Sequence, residues 1–152
     1  MSCLELLVDH GALLDLTLMQ PAGKTALHLA VDYQRIDMVQ LLLENGASPQ
    51  PLMVEDITPL HLAAAQGWIL GIETLAKCPG IDLDARDALL YETPLHKAAR
   101  NRHVEAADKL SALGANRKAK NVDEKTYEEV LEYSQAEPCQ WDVSDNLAWL
   151  TA

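Results

Sequence analysis

The sequence predicts an all-α solenoid of stacked helix-turn-helix units joined by β-hairpin-like loops. The main observation is a phrase of Thr, Pro or Ala, Leu, His and Ala that begins at Thr25, Thr58 and Thr93, with a weaker echo at Thr126. The phrases recur with a period of about 33 residues, which is the sequence sign of stacked repeats. Thr caps helices and Pro suits the first helical position, so each phrase is expected to begin a short helix.

The residues between these phrases predict a second helix in each repeat. An inner helix starts at the phrase, and an outer helix follows and ends near a Gly, which accepts the left-handed C-terminal cap. Loops with Pro and Gly then lead to the next phrase. The predicted inner helices are 26–33, 59–66, 94–100 and 127–134, and the outer helices are 37–44, 70–77 and 103–113. The loop at 81–92 is expected to be one residue longer at its tip than its counterparts.

The chain of 152 residues is expected to form one domain. We predict a partial repeat or N-terminal cap at 1–19, full repeats at 20–52, 53–87 and 88–120, and a degenerate C-terminal capping repeat at 121–152. Residues 6–12 align with 41–47, so the chain is expected to begin inside a repeat; either the full protein is longer at this end or the first helix is a bare cap. Trp141 and Trp149 are predicted to close the stack, the alternative being a docking tail for another molecule.

Composition and charge restrict the possible functions. Apolar residues make up 49% of the chain and charged residues 23%, as in ordinary globular proteins. The net charge of −11 disfavours nucleic acid and anionic membranes, which bind Lys and Arg, and favours a basic protein partner. Three scattered cysteines, Cys3, Cys78 and Cys139, form neither a disulfide framework nor a zinc motif and indicate a reducing compartment, cytoplasmic or nuclear. No apolar run is long enough to span a bilayer.

The sequence contains no recognisable motif for catalysis, metal or cofactor binding, so we expect neither an enzyme nor a small-molecule substrate. His28, His61 and His96, the phrase histidines, recur with the repeat. A residue present in every copy is expected to serve the copy, here by hydrogen bonds between neighbouring loops. The acidic stretch 82–87 lacks the Gly and Glu that a calcium-binding EF-hand loop requires at its sixth and twelfth places.

The phrase, the helix pair and the Leu-Leu-x-x-Gly-Ala that closes it at 42–47 resemble the ankyrin repeat. The resemblance runs from about Cys3 to Thr126. Asp56, Tyr91 and Glu124 stand where that family usually has a turn Gly, and Arg102 replaces the Gly before an outer helix. Within the family, residues 6–9, the lengthened hairpin, residues 23–30 and the acidic total faintly resemble inhibitor-of-kappa-B proteins and their Rel-precursor relatives.

This resemblance implies a partner-binding concave face made of hairpin tips and inner helices. In the family, contacts come from residues that flank the hairpin turn and those just after the paired alanines. Carried over by position, these are Ala22, Lys24, Asp32 and Tyr33; then Glu55, Ile57, Ala65 and Gln66; then Leu89, Leu90, Tyr91, Glu92, Arg100 and Asn101.

Residues 89–91 place three large apolar side chains at a hairpin tip, where polar residues are usual. We predict an exposed apolar cluster beside Arg100 and Arg102, a composition typical of an interface hot spot. The alternative is that this tip folds onto its neighbours. Trp68, directly after Gly67, is expected to pack rather than contact a partner.

These observations predict a non-enzymatic protein–protein interaction module, an adaptor, scaffold or inhibitor that binds a partner on its concave face. One alternative is the regulatory ankyrin portion of a longer enzyme or channel. Another is an inhibitor-of-kappa-B-like regulator of a basic transcription factor. A monomer is expected, with dimerisation through exposed ends as the alternative.

Overall fold

The computed structural model describes residues 23–135, and this part of the chain contains α-helices and no β-strand. The helices are α1 (Ala26–Asp32), α2 (Ile36–Glu44), α3 (Pro59–Ala65), α4 (Ile69–Ala76), α5 (Pro94–Arg100), α6 (Val104–Ala112) and α7 (Tyr127–Gln135), with a 3-10 turn at Val54–Asp56. Every predicted helix is present within one residue of its expected ends. The predicted all-helical solenoid is therefore confirmed.

The helices form two layers that follow the repeat. The inner helices α1, α3, α5 and α7 contact one another in series, and the outer helices α2, α4 and α6 do the same, while each outer helix also packs on the inner helix before it. Each repeat thus contacts its neighbours and little else, as in other solenoids. The predictions for residues 1–19 and for Trp141 and Trp149 lie outside the described residues.

The core is built from the same positions in each copy. The phrase leucines Leu27, Leu60 and Leu95 and the outer-helix residues Leu42, Leu75 and Leu110 are almost completely buried. Burying one leucine side chain contributes roughly 1.5–3 kcal/mol. Alanines such as Ala63 and Ala98 are fully buried between successive inner helices, where their small side chains allow the close approach. The short helices are therefore stabilised by packing between repeats, since helices of this length are marginal alone.

Three tight hairpins lead into the inner helices α3, α5 and α7. One backbone hydrogen bond closes each: Met53 N–H to the Ile57 carbonyl, Asp87 to Glu92 and Asn121 to Lys125, each 3.0 Å between nitrogen and oxygen. The second hairpin contains one more residue than the others, as predicted. Neighbouring tips are joined, since Ala88 N–H donates to the Glu55 carbonyl (2.8 Å) and Val122 N–H to the Leu90 carbonyl (2.9 Å).

Left-handed backbone conformations mark the positions where the sequence departs from the family pattern. Asp56, Tyr91 and Glu124 have φ of 55°, 52° and 59°, close to the 59° of Gly23 at the equivalent place. Arg102, between an inner and an outer helix, has φ of 63°, close to the 67° of Gly67. The fold retains the turn at these sites although a side chain makes it less favourable.

Candidate partner-binding surface

The phrase histidines connect each repeat to the next. In each copy the ring Nδ1 lies 3.2–3.3 Å from the backbone nitrogen of the phrase threonine and 2.8–3.0 Å from its hydroxyl. The opposite nitrogen, Nε2, reaches a carbonyl oxygen at the base of the following hairpin. These pairs are His28 with Ile57 (3.1 Å), His61 with Glu92 (3.0 Å) and His96 with Lys125 (3.1 Å). The predicted role as links between neighbouring loops is confirmed.

These contacts fix the protonation state of the rings. A backbone N–H can only donate, so Nδ1 must accept, and Nε2 carries the proton that it donates to the carbonyl. Burial lowers the pKa of all three phrase histidines, and the hydrogen bond to the carbonyl opposes this effect only in part. The rings are therefore neutral structural elements at physiological pH.

The last repeat uses a different residue at the histidine position. Glu129 accepts hydrogen bonds from the backbone nitrogen of Thr126 (2.7 Å) and from its hydroxyl (3.1 Å). These bonds lower the pKa of the Glu129 carboxyl. The arrangement satisfies the start of α7, but an ionised carboxylate has no proton to donate to a further hairpin. In the part of the chain that the structure describes, the bond from His96 to Lys125 is therefore the last histidine link.

Several residues predicted to contact a partner pair with one another across the start and end of an inner helix. Lys24, directly before the first phrase, forms an ion pair with Asp32 at the end of α1. Glu92 and Arg100 repeat this relation on α5 with the charges reversed. At the last repeat the same two positions hold Lys125 and Tyr133, and the ammonium lies 4.6 Å from the ring centroid.

Glu92 belongs to a buried charge network, which corrects its predicted place on the surface. Its side chain is 0% exposed, and its carboxylate receives Arg100 Nε at 2.9 Å. Lys97 Nζ lies 2.5 Å from Asp87 Oδ2 and 3.2 Å from Glu92 Oε2. Neither oxygen accepts a well-aligned hydrogen bond, so the positive charge of Lys97 compensates the burial of both. The Glu92 side chain can be buried because it forms ion pairs with Lys97 and Arg100 on α5.

The network shifts the pKa values of Asp87 and Arg100. Burial alone would raise the pKa of Asp87, but the Lys97 ammonium and the backbone N–H groups of Leu90 and Glu92 outweigh it, so the pKa is lowered. The hydrogen bond to Glu92 raises the pKa of Arg100. Asp87 Oδ1 also accepts the N–H of Leu90 (2.9 Å) and of Glu92 (3.1 Å), which braces the long hairpin.

The predicted apolar cluster at this hairpin is present in part. Leu89 is 61% exposed and Tyr91 is 55% exposed, but Leu90 is half-buried between the neighbouring tips. Val54 and Val122 at the adjacent tips are also more than half exposed. We refer to Val54, Leu89, Tyr91 and Val122 as the tip row. Arg102 lies at the other end of α5, so it does not adjoin the tip as expected.

The remaining predicted contact residues differ in exposure. Tyr33, Glu55, Arg100 and Asn101 are exposed, whereas Lys24, Asp32, Ile57, Ala65 and Gln66 are half-buried, and Ala22 lies outside the described residues. Gln66 bonds to Gln34 and to the Asp32 carbonyl, so it links two repeats. Trp68 packs against Gly71 and the core, in agreement with its predicted packing role.

Within residues 23–135, no group of three or more His, Cys, Asp or Glu side chains could hold a metal ion. A shallow pocket is lined by Arg100, Asn121, Asp123, Lys125, Val130, Tyr133 and Ser134. Across the same residues, none of the helices combines the length and hydrophobicity needed to traverse a bilayer.

Comparison with known proteins agrees with this repeated geometry. A family model described as "Ankyrin repeats (3 copies)" matches residues 1–52, and one described as "Ankyrin repeat" matches residues 91–122. Together they cover more than half of the chain. The chain belongs to the ankyrin-repeat family. Ankyrin repeats generally serve as non-catalytic modules that bind other proteins, and the solenoid of this ankyrin domain fits that description.

Relatives of this ankyrin domain occur in proteins of several kinds. It is 42% identical to the mouse nuclear factor NF-kappa-B p105 subunit over 81 residues, 53% of this chain. It is 37% identical to alpha-latrotoxin-Lh1a of Latrodectus hasselti over 79 residues, and 31% identical over 121 residues to the Caenorhabditis elegans homolog of transient receptor potential cation channel subfamily A member 1. The chain spans 8%, 6% and 10% of these relatives' lengths.

Proposed function

We propose that this ankyrin domain recognises a protein segment that carries apolar side chains flanked by basic residues, and that the tip row is central to the contact. One observation supports this most. Half of the large apolar residues that are strongly exposed in the described part of the chain lie at or next to three adjacent hairpin tips: Leu52, Val54, Leu89, Tyr91 and Val122. Backbone hydrogen bonds join the second tip to the first and to the third, so these residues lie on neighbouring hairpins. Exposed apolar residues grouped in this way are typical of interaction sites.

The charges around the tip row favour a basic partner. Glu55 and Asp56 are exposed at the first tip, and Asp123 and Glu124 at the third. Lys120 lies 3.4 Å from Glu124, an exposed pair that screens little of this charge. A partner with Lys or Arg beside its apolar anchors would be attracted to these carboxylates and would associate faster at low salt.

The inner-helix ends supply the second half of the proposed surface. Tyr33 and Asn101 are exposed there, and Gln66 is partly accessible between them. Lys24, Asp32 and Arg100 would act chiefly by orienting, because each already has a partner within the domain. Glu92 is left out of the proposal because its side chain is buried.

The proposal is tested with two leucines of equal exposure. Leu89 is 61% exposed on the tip row, and Leu70 is 60% exposed on the outer helix α4. The immobilised domain is offered a library of amphipathic peptides with Lys and Arg flanks and a matched library with Glu and Asp flanks. We expect binding from the basic library, and Leu89→Asp should weaken it by more than about 1.4 kcal/mol, a tenfold change.

The control Leu70→Asp should bind as the wild type does, and both variants should keep the wild-type thermal transition. Equal loss in both variants, or preference for the acidic library, would refute the proposal. Leu90→Asp is a poorer test because Leu90 is half-buried and its carbonyl bonds to the next tip. Loss of binding there could reflect damage to the fold.

Two finer hypotheses about the whole protein remain alternatives. Similarity to the NF-kappa-B p105 subunit supports an inhibitor-of-kappa-B-like regulator of a basic transcription factor, located in the cytoplasm or nucleus. Similarity to a cation channel homolog supports a regulatory portion of a longer enzyme or channel. The length of the native open reading frame distinguishes them, because only the second requires a large enzyme or channel domain in the same chain.

We also propose the repeat boundaries 20–52, 53–87 and 88–120, with a partial repeat at 1–19 and a capping repeat at 121–152. The replacement of a linking histidine by Glu129 supports the last of these. A monomer is proposed, with pairing through the chain's ends as the alternative, and sedimentation equilibrium distinguishes the two.

A further inference from the structure

Tyr133 is an exposed tyrosine that the proposed partner surface does not use. It lies in the last turn of α7, whose residues Tyr127 and Val130 are buried against the rest of the domain. Tyr133 itself is 75% exposed. The last four carbonyl groups of a helix lack partners within it, so the last turn opens more easily than the middle, although Ser134 Oγ here donates to the Ala99 carbonyl (3.1 Å).

Two cations stand beside this tyrosine. Lys125 Nζ lies 4.6 Å from the centre of the Tyr133 ring, and Arg100 lines the same shallow pocket. The lysine side chain is long and flexible, so its ammonium can move from the ring face to a group attached to the phenolic oxygen. Arg100 uses Nε and Nη2 to bind Glu92, and a guanidinium has further N–H donors to offer.

The sequence before Tyr133 is acidic. Glu132 precedes it directly, and Glu128 and Glu129 lie one turn earlier. All three are exposed, although Glu128 pairs with Arg117. An enzyme with a basic groove for its substrate would be attracted to this segment. Tyr33 gives an internal comparison, because it is also 75% exposed and directly follows an inner helix, but its neighbourhood includes Arg35 and a neutralised Asp32.

From these observations we propose that Tyr133 is a phosphorylation site for an ATP-dependent tyrosine kinase that prefers acidic substrates, and that Lys125 and Arg100 hold the resulting phosphate. The phenolic oxygen forms a bond to the γ-phosphorus of ATP, the bond between that phosphorus and the β–γ bridging oxygen breaks, and ADP leaves. The phenolic proton passes to the kinase's base. No oxidant or further reactant is needed.

Opposing charges act on the new phosphate. The C-terminal end of α7 and the carboxylates Glu129, Glu132 and Asp123 repel it, whereas Lys125 and Arg100 attract it. Hydrogen bonds between a phosphate and two cations are stronger than the effect of a helix end or of solvated carboxylates. Phosphorylation therefore replaces a weak contact between an ammonium and a ring by a charge-assisted one that holds α7 on α5.

The first test is the site itself. The full chain is incubated with a purified tyrosine kinase of acidic preference and magnesium ATP, and phosphate is located by mass spectrometry. We expect about tenfold more phosphate on Tyr133 than on Tyr33. Tyr133→Phe should abolish most of the label and Tyr33→Phe should not. Equal labelling of the two tyrosines, or none on Tyr133, would overturn the proposal.

The second test concerns the cations. The second pKa of a free phosphotyrosine is about 6, and a phosphate held by Lys125 and Arg100 should titrate below that value in a phosphorus NMR pH series. In Lys125→Met the phosphate should titrate nearer its free value. Identical titration in the two chains would refute the assignment of Lys125. Failure of either test leaves the tip-row proposal untouched, because that proposal is measured on the unmodified domain.

Discussion

Acidification should weaken this domain through its three phrase histidines. Burial lowers the pKa of His28, His61 and His96 in the folded state, whereas the unfolded chain binds a proton at each near pH 6.5. Because the unfolded state takes up protons first, the free energy of unfolding falls as pH drops below 6.5. The stabilisation by neutral histidines is thus complete above pH 6.5 and is lost between 6.5 and the lower folded pKa.

The size of the effect follows from the number of rings. If the folded state keeps all three neutral, each loses about 1.4 kcal/mol between pH 8 and pH 5.5, so the total approaches about 4 kcal/mol. Carboxylates contribute little in this window, because unfolded Asp and Glu titrate near pH 4. This sum would be a large part of the stability of a small domain.

Urea unfolding followed by circular dichroism at pH 8 and pH 5.5 measures the change. Glutamine can keep both bonds of the ring, since its amide oxygen accepts from the phrase threonine and its NH₂ donates to the next hairpin, but it does not titrate. Each of His28→Gln, His61→Gln and His96→Gln should remove about one third of the pH-dependent loss. His103→Gln, outside the phrases, serves as control.

If the free energy of unfolding of the wild type fell by less than about 1 kcal/mol between pH 8 and pH 5.5, the conclusion that the folded state keeps these histidines neutral would be refuted. A triple glutamine variant that keeps the full pH dependence would refute it as well. The wild type and the triple variant share every other titratable group, so the difference between the two isolates the phrase histidines.

Three further predictions concern the charge network and the turns. Glu92→Gln should lower the free energy of unfolding in urea by about 2 kcal/mol. The expected loss is smaller than for a fully buried ion pair because Arg100 can reach water. An unchanged free energy would show that the network does not stabilise the fold. Arg102→Gly should raise it by about 0.5–1 kcal/mol, since φ of 63° suits glycine. Gly67→Ala at the equivalent turn should lower it by about 2 kcal/mol or more, because the new Cβ would lie 2.6 Å from His103 Nδ1; a gain there, or a loss for Arg102→Gly, would contradict the turn argument.

The repeated elements could be predicted from local sequence. Caps, apolar spacing and Gly positions recur in each copy, and a structure with period 33 must place equivalent residues in equivalent surroundings. The same logic correctly predicted the links made by the histidines. The cap at Glu129 could also have been predicted from the sequence, because Thr126 and Glu129 have the spacing of a capping box.

The exposure of the candidate site residues could not be predicted in this way. Leu89 and Leu90 are neighbours of the same type, yet Leu89 is 61% exposed and Leu90 is half-buried, because backbone bonds to the tips of two other repeats fix the orientation of the hairpin. Glu92 occupies the same position as Lys24 and is buried because it pairs with Arg100 and with Lys97, which replaces a leucine on α5. Lys97 was therefore the residue from which the burial of Glu92 could have been predicted.

The sequence by itself determined the helices, their order and the residues that join successive repeats, because these depend on spacing within one copy and on its recurrence. Only the tertiary structure decided which polar residues face each other and which apolar residues remain at the surface. Those outcomes depend on contacts between copies that are not identical, where a single Lys, Glu or inserted residue changes the balance between burial and solvation.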